Sequence, residues 1–195
     1  MTLTWRDLFM TTLRNPAGAA QIVLSTNVSR TDIYLALIAG AALNTVLMGM
    51  TLLLFPLPEA WPGFISHPLS YFVIASGGLI LFAHLLTWSG RGMGGVGTLD
   101  DMLKLMIWLQ FVRIALQLVG LVITIALPPL GGLYSLAVTG VSLWIVLNFI
   151  QVGHGLETLG KALVVLFITF VGLIVGLSLL LALLGGGMLG VSSNV

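Results

Sequence analysis

Residues 162–184 read ALVVLFITFVGLIVGLSLLLALL, an apolar run without one ionisable side chain. About twenty such residues, wound as an α-helix, cross roughly 30 Å of hydrocarbon, so this run can span a bilayer. Toward the N-terminus four more runs of the same kind cover about 133–152, 102–127, 70–89 and 33–55. The breaks between them carry turn chemistry: PLPEAWPGFISHP at 56–68, GRGMGGVGT at 90–98, PPLGG at 128–132 and GHGLETLG at 153–160. Composition agrees, because 58% of the residues are hydrophobic and 7% charged, whereas about a quarter of a water-soluble domain is charged. The expected fold is all-α: a polytopic membrane bundle of five transmembrane helices preceded by short amphipathic N-terminal helices. It divides into an N-terminal segment (1–31), the bundle (32–184) and a C-terminal tail (185–195).

The few cations set the expected orientation. Arg6, Arg14 and Arg30 precede the first span, Arg91 and Lys104 flank the second loop, and Lys161 opens the fifth span. Short positive loops stay cytoplasmic, so the N-terminus is expected inside and the C-terminus on the opposite side. Trp5 and Trp88 then fall at the inner interface, Trp61 and Tyr71 at the outer. Arg6, Asp7, Arg14 and Arg30 interrupt any signal-peptide apolar region, so the first span is expected to stay in the mature protein. Ahead of it, Trp5, Leu8, Phe9 and Leu13 share one face at helical spacing, as in a helix lying in the membrane surface. Asn15-Pro16 reads as an N-cap followed by proline at the first position of a second short helix, running to about Leu24.

Several motifs invite chemistry and lose it in context. Gly92-Met93-Gly94-Gly95-Val96-Gly97 satisfies G-x-G-x-x-G, but a dinucleotide site needs a strand before the glycines and an acidic residue about twenty positions after them. Here a membrane span precedes them and another follows, so no nucleotide is expected at Gly92–Gly97; the glycines are expected to let two spans approach. Asp100 and Asp101 resemble a catalytic pair, yet Thr98-x-x-Asp101 is a capping box and Asp100 stands four residues before Lys104, set for a helical ion pair. Ser29-x-x-Asp32 repeats the device before the first span. Three scattered histidines and no cysteine give no metal-ligand spacing, and no nucleophile–base set or cofactor motif appears, so no metal, cofactor or catalytic residue is expected. A net charge of +1 argues against a nucleic-acid partner.

Arg113 lies about 18 Å beyond the cytoplasmic end of the third span, at the bilayer middle. Gln110 and Gln117 share its helical face, and Asn44, His84 and Asn148 are polar groups of the neighbouring spans. An arginine at that depth costs at least ~2.5 kcal/mol and must find partners. Two readings follow: interhelical hydrogen bonds at about 0.6 kcal/mol each, or a site for an anionic lipid or substrate. In the fifth span Gly172-x-x-x-Gly176 offers a surface for close helix packing, either against another span or against another copy of the chain.

The order of parts, RNPAGAAQIVLSTNVSR ahead of five spans and GRGMGGVGT running into LMIWLQFVRIALQ, resembles bacterial members of the Yip-domain family. These are similar to the Rab-GTPase-interacting multispan proteins of the secretory pathway. The Asp-Leu-Tyr-Gly-Pro type motif of eukaryotic members has only Thr31-Asp32-Ile33-Tyr34 in its place. The resemblance implies a non-catalytic protein of the bacterial inner membrane. It would act as scaffold, adaptor or accessory subunit toward another membrane protein or a second copy of itself, among membrane lipids. The alternative is a small carrier or lipid-handling protein that uses the intramembrane arginine for an anionic ligand.

Overall fold

The computed structural model describes residues 4–56 and 67–188; Trp61, expected at the outer interface, lies outside them. The described residues form seven helices and no strand. Two are short, α1 (Trp5–Arg14) and α2 (Pro16–Ser25). Five are long: α3 (Arg30–Leu54), α4 (Pro68–Gly92), α5 (Leu99–Ala126), α6 (Pro128–His154) and α7 (Leu159–Met188). All five carry stretches long and apolar enough to cross a membrane.

The helices begin where side chains can receive their first unpaired amides. Thr4, Ser29 and Thr98 each accept from the backbone three residues on, and Asp7, Asp32 and Asp101 reach back to complete capping boxes. The Thr4 hydroxyl and amide hold the Asp7 carboxyl below its usual range. Asn15 caps α2, with Pro16 at its first turn. PPLGG, expected as a break, is instead helix: Pro128 and Pro129 occupy the first turn of α6 immediately after Leu127. A proline there sacrifices no hydrogen bond, since the first amides of a helix have no intrahelical acceptor. Tight packing follows at this corner. The Tyr134 ring rests where a Cβ on Gly120 would lie 2.7 Å away, and its hydroxyl donates to the Leu116 carbonyl at 2.6 Å.

The long helices form a ring in the order α3, α4, α7, α6, α5, with α5 touching α3 to close it and α4 also meeting α5 across it. α1 and α2 fold over one end, where α2 packs on α5 and α6. Apart from Arg113, the charged groups among the described residues gather at this end, here termed the charged end. Asp100 does not pair with Lys104 as its spacing suggested. Arg30 Nε reaches Asp100 from α3 at 2.9 Å, and Lys104 Nζ donates to the Thr26 carbonyl at 3.1 Å. The N-termini of α3 and α5 lie side by side, so cross-helix partners outcompete the local one. The Arg30–Asp100 ion pair is a surface feature, and such pairs contribute about 1 kcal/mol or less.

Burial is lopsided along the bundle axis. Met102, Leu103, Leu105, Phe149, Ile150, Ala162 and Val165 are fully buried at the charged end. On α5 the buried positions stop at Ile114, and on α6 they resume only at Ile145, Gly131 excepted. The far half presents Leu53, Val122, Leu133, Leu136 and Ile174 outward. Such a surface suits hydrocarbon, where apolar exposure carries no penalty.

α1 is tied to the bundle by one buried polar contact. Trp108 Nε1 donates to Thr12 Oγ1 at 2.9 Å, and Thr12 is fully buried. Thr12→Val leaves the indole N–H without an acceptor, so we expect a loss of about 1–3 kcal/mol, read as a lower unfolding temperature in detergent. Adding Trp108→Phe removes the orphaned donor. The double variant should then lose less than the two single losses summed, and strict additivity would show that the bond contributes nothing.

Candidate functional site: a glycine cradle and an arginine-lined cavity

The charged end is held together by absent side chains. α6 ends at His154, with Gly155 in the left-handed conformation (φ 65°) turning the chain away. The His154 ring is fully buried and is enclosed by the end of α4 and the loop after it. A Cβ on Gly90 would lie 2.3 Å from His154 Nε2, one on Gly95 2.7 Å from His154 Cβ, and one on Gly97 2.6 Å from Nδ1. Gly153 is equally constrained on the opposite side, by Met102 and Leu105. The loop amides are engaged as well: Gly94 donates to Arg91 O, Gly95 to Gly90 O, and Val96 to His154 O at 2.9 Å. Gly95 and Gly97 of GMGGVG therefore serve close backbone approach to α6, whereas Gly92 and Gly94 have open space around a would-be Cβ. The amides of Gly94, Gly95 and Val96 are taken up by carbonyls of the protein itself. Both nitrogens of His154 lack a hydrogen-bond partner. Sequence reasoning passed over His154 as part of a turn; the signal was a histidine flanked by glycines, opposite a second glycine cluster of matching size.

This end also carries an exposed outer surface of mixed apolar and cationic side chains. Val96 is 81% exposed and Trp5 76%, with the exposed Arg6, Arg14, Arg30 and Arg91 at the same end. Arg91 Nε donates to Gly97 O at 3.2 Å, bracing the loop from outside. Leu8, Phe9 and Leu13 of α1 lean on the core. Beyond the next turn, Lys161 donates to Glu157 at 2.7 Å and holds that carboxyl below its usual range.

The second feature is a cavity of about 520 Å³ in the bundle middle, lined by side chains from all five long helices. Asn44, Gln110 and Arg113 line it together, with Tyr71 and Ser142 as further polar groups. Gln110 is 8% exposed and its Oε1 has no partner. The Tyr71 hydroxyl approaches Asn44 Oδ1 at 3.4 Å. The other polar residues singled out from the sequence lie apart. His84 is exposed, with Nδ1 2.8 Å from its own helix at Ile80 O. Asn148 Nδ2 donates to Trp144 O at 2.8 Å, also within its helix. Gln117 is half-buried and outside the cavity lining. In α7, Gly172 faces Leu85 of α4 at 3.5 Å from its would-be Cβ, while Gly176 opens onto free space.

A family model for the Yip1 domain matches residues 10–180. The chain belongs to that family. Neither a curated protein nor a solved structure matches it. The Yip1-domain match runs from α1 into α7, so cradle and cavity both fall inside it.

The cradle makes a residue-by-residue prediction for this Yip1-domain protein. Gly90→Ala should cost about 1–3 kcal/mol through overlap with the imidazole. Gly92→Ala, at the first glycine of the motif and with open space around it, should leave the unfolding temperature unchanged. Combining Gly90→Ala with His154→Ala should recover part of the loss. A Gly92→Ala penalty equal to that of Gly90→Ala would contradict this account of the loop.

Proposed function

We propose that this Yip1-domain membrane protein is non-catalytic and acts as a scaffold, adaptor or accessory subunit. It would dock another membrane protein, or a second copy of itself, on its charged end. The observation that carries this reading is how the loop is tied to the bundle: Val96, itself 81% exposed, donates its amide to His154 O at 2.9 Å, and Arg91 Nε donates to Gly97 O at 3.2 Å. A recognition surface that is ordered before binding loses little entropy when a partner arrives. Exposed aromatic and arginine side chains are the residue types that anchor interfaces, and Trp5 with Arg6 and Arg91 supplies them. The family supports the same reading, since Yip1-domain proteins are generally non-enzymatic and interact with other proteins. Positive charge at this end argues that it faces the cytoplasm, with the opposite end of the bundle across the bacterial inner membrane.

Both parts can be tested. The chain contains no cysteine, so Val96→Cys places one thiol on the loop; a membrane-impermeant maleimide should label it in permeabilised cells and not in intact ones. A photo-cross-linker at Val96 or Trp5 should yield a discrete protein adduct in native membranes, weakened by Arg91→Glu. The same cross-linker at Leu136, in the far half, should yield lipid adducts only. Lipid adducts alone from all three positions would refute docking at the charged end.

A further inference from the structure

We infer that the cavity around Arg113 binds a membrane lipid whose headgroup ends in an oxyanion, a phosphate or a carboxylate, with its acyl chain against the cavity wall. This goes beyond the docking role and stands independently of it. Arg113 sits fifteen residues into α5 by its place in Leu99–Ala126, about 20 Å from the charged end at 1.5 Å per residue. Among the described residues the ion pairs are Arg30–Asp100 and Lys161–Glu157, and Arg113 belongs to neither. Among the described residues no carboxylate lines the cavity with it. A guanidinium at that depth, with its planar array of donors, calls for a bidentate oxygen acceptor of opposite charge.

Gln110, one helical turn away on the same face, supplies an independent sign. It is more than nine-tenths buried, lines the cavity, and leaves Oε1 without a partner. A buried amide is normally satisfied, and an unsatisfied one costs about 1–3 kcal/mol unless something completes it. A phosphate monoester monoanion can donate its hydroxyl to Oε1 while its charged oxygens accept from Arg113; a carboxylate can satisfy Arg113 but has no proton for Oε1. The remaining wall is apolar, with Phe82, Leu166 and Phe170 among its side chains. A volume of 520 Å³ lies within the range of sites that enclose a ligand with an organic body. The lining also includes Ile74 and Leu143, which are 52% and 48% exposed. The cavity is therefore continuous with the lipid-facing surface, and a chain can enter from the bilayer.

The test uses the full chain in detergent micelles, titrated with phosphatidic acid, with phosphatidylcholine as the zwitterionic control and inorganic phosphate as the headgroup without a chain. Native mass spectrometry should show one phosphatidic acid held per chain in preference to phosphatidylcholine. Arg113→Gln should weaken it by about tenfold to a hundredfold, the range of a lost charge-assisted hydrogen bond. Gly78→Leu is the second variant. Gly78 lines the cavity with nothing near its would-be Cβ, so leucine should fill the space and block the lipid while Arg113 stays in place and the unfolding temperature is kept. Displacement of phosphatidic acid by inorganic phosphate, lost again in Arg113→Gln, would retain the oxyanion site and name a free anion as its ligand. Undiminished phosphatidic acid binding in both variants, or equal binding of the zwitterionic lipid, would overturn the inference. Cross-linking from Val96 should be unaffected by Gly78→Leu, so this site and the docking surface can fail separately.

Discussion

Where the end of α4, its following loop and the last turn of α6 converge, there is no volume for a Cβ. The imidazole of His154 fills the space that side chains on Gly90, Gly95 and Gly97 would need, and that contact sets how near three membrane helices can come to one another. Protein interiors are packed too densely to absorb such an overlap by small adjustments. The closeness propagates: with α6 held against α5, the fully buried layer of Met102, Leu105, Phe149 and Ile150 can form, and α2 has a flat surface on α5 and α6 to cover. α1 follows through the bond between Thr12 and Trp108. The organisation of the charged end is thus a chain of packing decisions that begins with missing atoms.

Away from that end a different physics governs. In water the exposed Leu53, Leu133 and Leu136 would be a liability; in hydrocarbon they are the correct surface, and helices gain nothing by hiding them. What must be managed there is polarity. Thr45, Thr51, Ser76, Thr124 and Thr139 each return their hydroxyl to a carbonyl of their own helix. Gln110 Oε1 has no such partner, and Arg113 belongs to neither ion pair among the described residues. They stand out against a background in which most membrane-embedded polar groups are satisfied within a turn.

The all-helical, five-span architecture was legible because length and hydropathy alone decide whether a helix can cross a membrane. Helix starts were legible too, since Ser29-x-x-Asp32, Thr98-x-x-Asp101 and Asn15-Pro16 act within one turn. The Yip1 family was readable from the order of segments together with GRGMGGVGT and WLQFVR. Contacts between distant residues were not readable. Asp100 has a good local partner in Lys104, and only the assembled bundle reveals that Arg30 is nearer. The PPLGG segment carries the same letters whether proline ends one helix or begins the next. Polar residues at similar depth in different spans were grouped from the sequence, and depth says nothing of azimuth: buried Asn44 and Gln110 and exposed Arg113 line one cavity, while His84 lies outside it. His154 was invisible for a related reason, since its surroundings come from residues some sixty positions earlier.

Leu127 alone separates α5 from α6, which constrains how the chain can enter its membrane during synthesis. A one-residue corner gives the arginine-bearing helix no hydrophilic connector on which to pause after crossing. α6 bears no Asp, Glu, Lys or Arg, so it enters hydrocarbon readily and can lie beside α5 as soon as both have emerged. The two helices are therefore suited to insertion as a hairpin, in which the uncharged member lowers the cost of burying the charged one. Topogenesis, and not only the finished architecture, is written into that corner.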